Sequence, residues 1–347
     1  MSRAFEQLEK MPRVRLGHAP TPLEAMANLG RSHGGRPMYV KRDDCTGLAF
    51  GGNKVRQLEF YLGEAVAAGA DTVLISGAVQ SNFTRLTAAA CAILGLQCHV
   101  QLERRVPKTD PTYNASGNVI LDKLLGATLH SYAHGEDEEG ADRRLHEIAD
   151  RLSTHARTPY VIHLAPGHRP LGALGYLVAA RELLDQIADD SLVIDEIVVA
   201  SGSGNTHAGL LFGLRALGSR IPVTGVCVRR GEKDQFGRIK TRLRQIADLL
   251  NVDPVTDDDD ILLTDAVLAP GYGQLNEPTL AAIKTAAQLE GLILDPVYTG
   301  KSMAGFLQRA EVIEPGRSLL FIHTGGQPAL FAYEKELSTA LDCPTPW

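Results

Sequence analysis

Residues 194–200, Ile194-Asp195-Glu196-Ile197-Val198-Val199-Ala200, run directly into residues 201–206, Ser201-Gly202-Ser203-Gly204-Asn205-Thr206. The first stretch is short, apolar and β-branched, the pattern of a buried strand. The second is a glycine-rich turn, and Ala208 to Ala216 continues at helical spacing. Strand, turn and helix in that order is the unit of a parallel sheet covered by helices. Working outward, the unit recurs. Thr72 to Ser76 is a strand followed by a turn and an alanine-rich helix around Leu86 to Leu94. Cys98 to Leu102, Val223 to Val228 and Ser318 to His323 read as further strands. The expected fold class is α/β, with parallel-type sheets covered by helices. Ligands of such sheets bind in the turns at the carboxyl ends of strands. Three polar clusters fall there: Gln80-Ser81-Asn82, the 201–206 turn, and His323-Thr324-Gly325-Gly326.

At 347 residues the chain exceeds the usual single-domain size, which predicts two lobes. Residues 58–164 read as a compact strand-helix unit, with 1–57 and 165–347 forming a larger one. Gly135 to Gly140 reads as an exposed loop. A net charge of −6, spread along the chain with few aromatics, speaks against a nucleic-acid surface. No apolar stretch approaches the roughly 20 residues of a membrane helix, and no signal pattern opens the chain. Cys45, Cys91, Cys98, Cys227 and Cys343 form no Cys-x-x-Cys, which predicts free thiols and a cytoplasmic protein. The histidines show no metal-ligand spacing, so no metal site is expected. The acidic run Asp257 to Asp260 reads as a solvated loop.

Lys54 closes the run Phe50-Gly51-Gly52-Asn53-Lys54, at the start of a predicted helix over Val55 to Ala68. An amine held at a fixed point by such a turn suits Schiff-base chemistry with a carbonyl. In the 201–206 turn, glycines let backbone N–H groups close around an anion at a helix N-terminus, and the Ser203 and Thr206 hydroxyls can donate as well. The alternative is a tight turn with helix caps. A dinucleotide fingerprint is not met, because Gly202 and Gly204 are followed by Ala208 and Gly209. A Walker loop lacks its lysine. Ser81 is either the cap of the helix after it or an active-site hydroxyl. Thr324 carries the same two readings. Tyr272 and Tyr298 are rim or core residues on their own. An aldehyde-capturing amine, a polar turn, a phosphate cradle and a partner for a ring nitrogen together make the inventory for pyridoxal 5'-phosphate.

KRDDCTGLAFGGNKVRQLEF at 41–60, GAVQSNFTRLTAAA at 77–90, LEGLILDPVYTGKSMAG at 289–305 and FIHTGGQPALFAY at 321–333 resemble the D-cysteine desulfhydrase/1-aminocyclopropane-1-carboxylate deaminase family. That family belongs to the pyridoxal phosphate enzymes of fold type II, the tryptophan-synthase-β-like fold. The resemblance extends from about Thr21 to about Tyr333. It implies a small domain inserted in a larger cofactor-holding one, with the cofactor in the cleft, and it implies a homodimer. Lys54 matches the cofactor-binding lysine. The resemblance also implies cofactor contacts from Asn53, Asn82, Ser201, Gly202, Ser203, Gly204, Asn205, Thr206 and Thr324, with Thr324 beside the pyridine nitrogen. Ser81, Asn82, Phe83 and Thr299 match substrate-side positions. Tyr272 and Tyr298 match residues pointing into the substrate pocket.

Two positions bear on the substrate. Threonine at 299 matches the desulfhydrase branch, where the cyclopropane deaminases carry glutamate. Phe83 stands where desulfhydrases commonly have histidine. The resemblance implies a β-eliminating lyase in which Lys54 or Ser81 handles the α-proton and Tyr298 or Tyr272 helps the leaving group. D-cysteine giving pyruvate, ammonia and sulfide comes first, L-cysteate second, 1-aminocyclopropane-1-carboxylate third. A non-catalytic cofactor carrier or sensor is the rival from another class.

Overall fold

The computed structural model describes residues 2–165 and 167–341. Among the described residues, ten strands form two sheets. They are β1 (Leu23–Ala25), β2 (Met38–Lys41), β3 (Thr72–Ala78), β4 (Gln97–Glu103), β5 (Thr128–Tyr132), β6 (Pro159–Ile162), β7 (Glu196–Ser201), β8 (Val223–Cys227), β9 (Leu262–Thr264) and β10 (Leu319–Ile322). The larger sheet has the order β1-β2-β10-β7-β8-β9, and the smaller β5-β4-β3-β6. Only the β1–β2 pair is antiparallel. Every residue of β3, β7, β8 and β10 is buried, as expected for strands covered by helices on both faces. The α/β class expected from the recurring unit is the one observed.

Helix Leu171–Asp189 packs against both Asn53–Ala67 and Asn205–Ala216. Leu174 and Leu177 on it are fully buried, each stabilising the fold by about 1.5–3 kcal/mol. A buried charge network ties the same helices to β2. Arg56 donates to Asp43 at 2.9 Å and to Glu182 at 2.8 Å, and Lys41 donates to Glu182 at 2.6 Å. Burial alone would raise the Glu182 carboxyl, yet Arg56 and Lys41 hold it down at about 2. Removing one partner from such a buried set costs on the order of 3–5 kcal/mol. Arg56 lies two residues beyond Lys54 on the same helix, so this network also anchors the helix that carries Lys54.

Several expectations change in detail. The helix after the Gly-Gly-Asn-Lys turn starts at Asn53 rather than Val55, and the boundary at 57/58 falls inside it. Gly135 to Gly140 is not simply an exposed loop. Asp137 accepts from the Gly140 N–H at 2.8 Å and caps the helix Glu138–Ser153, so Glu138 belongs to a first helical turn. The 257–260 run is a short 3-10 turn, with Asp260 paired to Arg215 at 2.7 Å. Among the described residues, Cys45, Cys91, Cys98 and Cys227 are unpaired, and Cys343 lies outside them. No helix among those residues is long and apolar enough to cross a membrane.

Candidate active site

The carboxyl ends of β3, β4, β7 and β10 feed a cleft between the two sheets. Lys54, Asn53, Ser81, Asn82, Phe83, Gly202, Ser203, Gly204, Thr206, Tyr272, Tyr298 and Thr324 all line it. Ser201, Asn205 and Thr299 do not.

Lys54 stands in the first turn of its helix, with Nζ 5.2 Å from the centre of the Phe83 ring. Burial pushes its amine down to about 8, because a charged ammonium is poorly solvated there. About a tenth is therefore free amine at pH 7, far more than for a solvated lysine. Its turn is pressed against the Thr324 turn. The Asn53 N–H donates to the Thr324 carbonyl at 3.0 Å, and a Cβ on Gly325 would lie 2.6 Å from the Gly52 Cα. Only glycine allows that approach, which brings the amine and the Thr324 hydroxyl to one cleft.

The 201–206 turn opens onto the N-terminus of helix Asn205–Ala216. Gly204 has φ +95° and no side chain caps the helix, so the backbone N–H groups of 203–207 have no acceptor among the described residues. Arg238 donates to the Ser203 carbonyl at 3.0 Å from outside the turn. Thr206 Oγ1 accepts from Asn53 Nδ2 at 2.8 Å and Gln57 Nε2 at 2.9 Å. With both lone pairs taken, its own proton is left to donate into the cleft. This is an anion cradle of N–H and O–H donors with helix polarity behind it. Ser201 is not part of it: its hydroxyl lies beneath the turn, accepting from Gln235 at 2.8 Å and meeting His207 Nδ1 at 3.1 Å. The Asn205 side chain likewise turns away, donating to the Tyr61 hydroxyl at 3.3 Å.

The Ser81 turn is built differently. Ser81 Oγ accepts from the Phe83 N–H at 3.2 Å and the Thr84 N–H at 3.3 Å, capping helix Asn82–Leu94. Ser81 is thus both cap and cleft residue. Those two amides are taken by the cap and are not free to hold a ligand. Asn82 Oδ1 accepts from Arg85 at 2.9 Å and Asn118 at 3.0 Å, which leaves its amide N–H groups to donate. Burial lowers Arg85 to about 10, so it remains a cation at neutral pH.

Tyr272 and Tyr298 share a hydrogen bond of 2.6 Å. Burial raises the pKa of both, and proximity to Tyr272 pushes Tyr298 further, so both stay protonated. Lys301 holds the loop before Tyr272, donating to the carbonyls of Leu268 at 2.7 Å and Gly271 at 2.9 Å. Thr299 departs from its expected place facing the substrate. It is fully buried behind Tyr298, donating to Asp295 at 2.7 Å, and Asp295 also accepts from the N–H groups of Val297, Tyr298 and Thr299. Its hydroxyl therefore fixes the turn that aims Tyr298.

Sequence reading missed the charged part of the lining: Glu103, Arg105, Glu138, Asp142, Arg229 and Arg238. Arg105 pairs with Glu103 at 2.6 Å, while Glu138 meets Arg229 at 2.9 Å and Arg238 at 3.2 Å. Burial alone would raise the Glu138 carboxyl, but Arg238, Arg229 and Arg230 keep it below the usual range. Glu103 ends β4 and Arg229 follows β8, so the rule that ligands sit at carboxyl ends of strands was the available signal. Asp142, His163 and His168 also place ligand-capable atoms within 4.8 Å of one another, a grouping that sequence spacing did not show. Their separation along the chain hid them.

A cleft that offers a part-deprotonated lysine, an open helix N-terminus and a free hydroxyl fits a phosphorylated aldehyde. The family model described as pyridoxal-phosphate dependent enzyme matches residues 14–325. The chain belongs to that family. As a pyridoxal-phosphate dependent enzyme, it is 42% identical over 336 residues to a D-cysteine desulfhydrase of Klebsiella pneumoniae subsp. pneumoniae, covering 96% of this chain and 100% of the relative. It is 40% identical over 334 residues to one of Serratia proteamaculans, covering 96% and 99%. A solved structure of an ACC deaminase homologue superposes with a TM-score of 0.86 at 37% identity, covering 98% of this chain and 99% of that one. O-ureido-L-serine synthase shares the fold alone, with a TM-score of 0.68 at 17% identity over 98% and 96% of the two chains.

Proposed function

We propose that this enzyme eliminates the β-substituent of D-cysteine, one water being taken up as sulfide, pyruvate and ammonia are released. The observation that carries the proposal is the protonated Tyr272–Tyr298 pair in the same cleft as Lys54, in a chain with close desulfhydrase relatives. Bound pyridoxal phosphate supplies an electron sink for the pair left at the α-carbon. The N–H groups of 203–207 and the hydroxyls of Ser203 and Thr206 hold the phosphate. Lys54 would hold the cofactor and carry the α-proton, with Ser81 as the second candidate for that proton. Asn82 donates to the cofactor or the substrate carboxylate. Thr324 is a neutral partner for the ring nitrogen. The tyrosine pair gives a proton to the departing sulfur, which a high pKa permits and which excludes it as the base. Thr299 acts through Asp295 on the aim of Tyr298. Phe83 packs over the amine and keeps water from Lys54.

Elimination of sulfite from L-cysteate is a second reading, favoured by the guanidinium groups of Arg105 and Arg229 on the cleft wall. Residues 58–164 as the small domain, 1–57 plus 165–347 as the large one, homodimeric assembly and a cytoplasmic setting complete the proposal. The allocation of β3 to β6 to one sheet and the unpaired thiols support it. The deciding test is a panel of β-substituted D- and L-amino acids and 1-aminocyclopropane-1-carboxylate, read by the 2-oxo acid formed. Pyruvate from D-cysteine is expected. Efficient 2-oxobutyrate from the cyclopropane substrate, with no pyruvate from any β-substituted alanine, would overturn the assignment. Phe83→His should raise turnover of D-cysteine if Phe83 tunes the pocket, and only lower stability if it merely packs.

A further inference from the structure

We propose that Asp142, His163 and His168 form a binding site for a divalent transition ion of the zinc class at the edge of the cleft. The three residues come from separate parts of the fold. Asp142 stands on the helix Glu138–Ser153, His163 directly follows β6, and His168 lies in the turn before helix Leu171–Asp189. The carboxylate faces both rings, with Oδ1 at 3.6 Å from His163 Nδ1 and Oδ2 at 3.1 Å from His168 Nε2. A tetrahedral ion with bonds of about 2.0–2.1 Å spaces its ligand atoms about 3.3 Å apart, and each of the three residues brings a ligand atom within 4.8 Å of the others, so side-chain movement alone can close the set.

A second observation points to a ligand. His163 Nδ1 is buried and has no hydrogen-bond partner. Buried ring nitrogens are ordinarily satisfied, and this one is aimed at a carboxylate just beyond hydrogen-bond reach. The His163 and His168 rings stack with centres 3.8 Å apart and planes 8° apart. Two imidazolium ions would repel at that distance, whereas two neutral rings present lone pairs side by side. Binding requires the rings to splay so that each plane contains the ion. His146, one turn beyond Asp142, stacks behind His163 with centres 5.0 Å apart and stands outside the ligand set. Two imidazoles and one carboxylate suit zinc, with the fourth position left to water. Asp142 also lines the cleft, so a bound ion would tie His163 and His168 to the cleft wall.

The test uses the holoenzyme, stripped with EDTA and titrated with zinc chloride by calorimetry. One ion per chain is expected, with affinity falling at least about tenfold in Asp142→Asn and in His168→Ala and holding in His155→Ala, a control at an exposed histidine. Absence of a stoichiometric zinc isotherm in the wild type overturns the proposal. So does equal affinity in the Asp142 and His168 variants. Should those variants fail to fold, cobalt(II) on the wild type decides: strong tetrahedral d–d absorption supports the site, and its absence sinks it.

Discussion

Two strand–turn–helix units face each other across the cleft, and they end in opposite ways. After β3, Ser81 folds its hydroxyl over the helix N-terminus and takes the N–H groups of Phe83 and Thr84. After β7, Gly204 offers no side chain, and the N–H groups of 203–207 stay open. The same topology thus yields one closed terminus, which presents side chains, and one open terminus, which presents backbone. A capped helix has already satisfied its partial positive charge, while an uncapped one in a cleft awaits an anion. The proposed function puts the cofactor's phosphate at the open turn and the substrate at the closed one.

The comparison is broken most directly at the open turn. Replacing Ser203 and Thr206 together by alanine removes two charge-assisted donors, each worth about 1.5–3 kcal/mol. Cofactor affinity should fall at least about a hundredfold, with activity regained in excess pyridoxal phosphate. Unchanged retention on dialysis would show that the phosphate lies elsewhere. Next comes Gly204→Ala. At φ +95° a Cβ costs about 1–2 kcal/mol, so thermal denaturation should show a less stable protein that also binds cofactor more weakly.

The amine sharpens the contrast, because it titrates and the open turn does not. Below a pH of about 8 Lys54 is an ammonium, and above it the reactive free amine. Cofactor uptake by the apoenzyme should therefore speed up as pH rises, about tenfold from one unit below that value to one unit above it. A flat profile would contradict the buried setting of Lys54. The smallest effect belongs to Ser81→Ala. Loss of the cap should cost about 1 kcal/mol of stability while phosphate affinity holds. A loss of phosphate affinity as large as that of the double variant would erase the distinction between the two turns.

Much of this was legible in contiguous runs. The strand into the 201–206 turn gave away the parallel sheet, and Gly-Gly-Asn-Lys gave away the amine, because local periodicity and turn chemistry are written within about ten residues. Thr299 was misplaced because its neighbour in sequence, Tyr298, faces the cleft, while its own hydroxyl satisfies the buried carboxylate of Asp295. Ser201 and Asn205 sit in the right turn, yet their side chains answer to Gln235 and Tyr61, partners far along the chain. Glu138 and its arginines had no motif at all, since the residues that meet come from the smaller sheet's helix and from beyond β8.

By itself, then, the sequence determined the fold class, and short-range pattern and backbone freedom singled out Lys54 and the 201–206 turn, both of which contribute to the cleft lining. Only the tertiary structure decided which hydroxyls face the cleft, that Tyr272 and Tyr298 share a proton-holding bond, and that Asp142 meets His163 and His168. Those outcomes depend on burial and on charges brought together from distant segments, and neither quantity exists until the two sheets have packed.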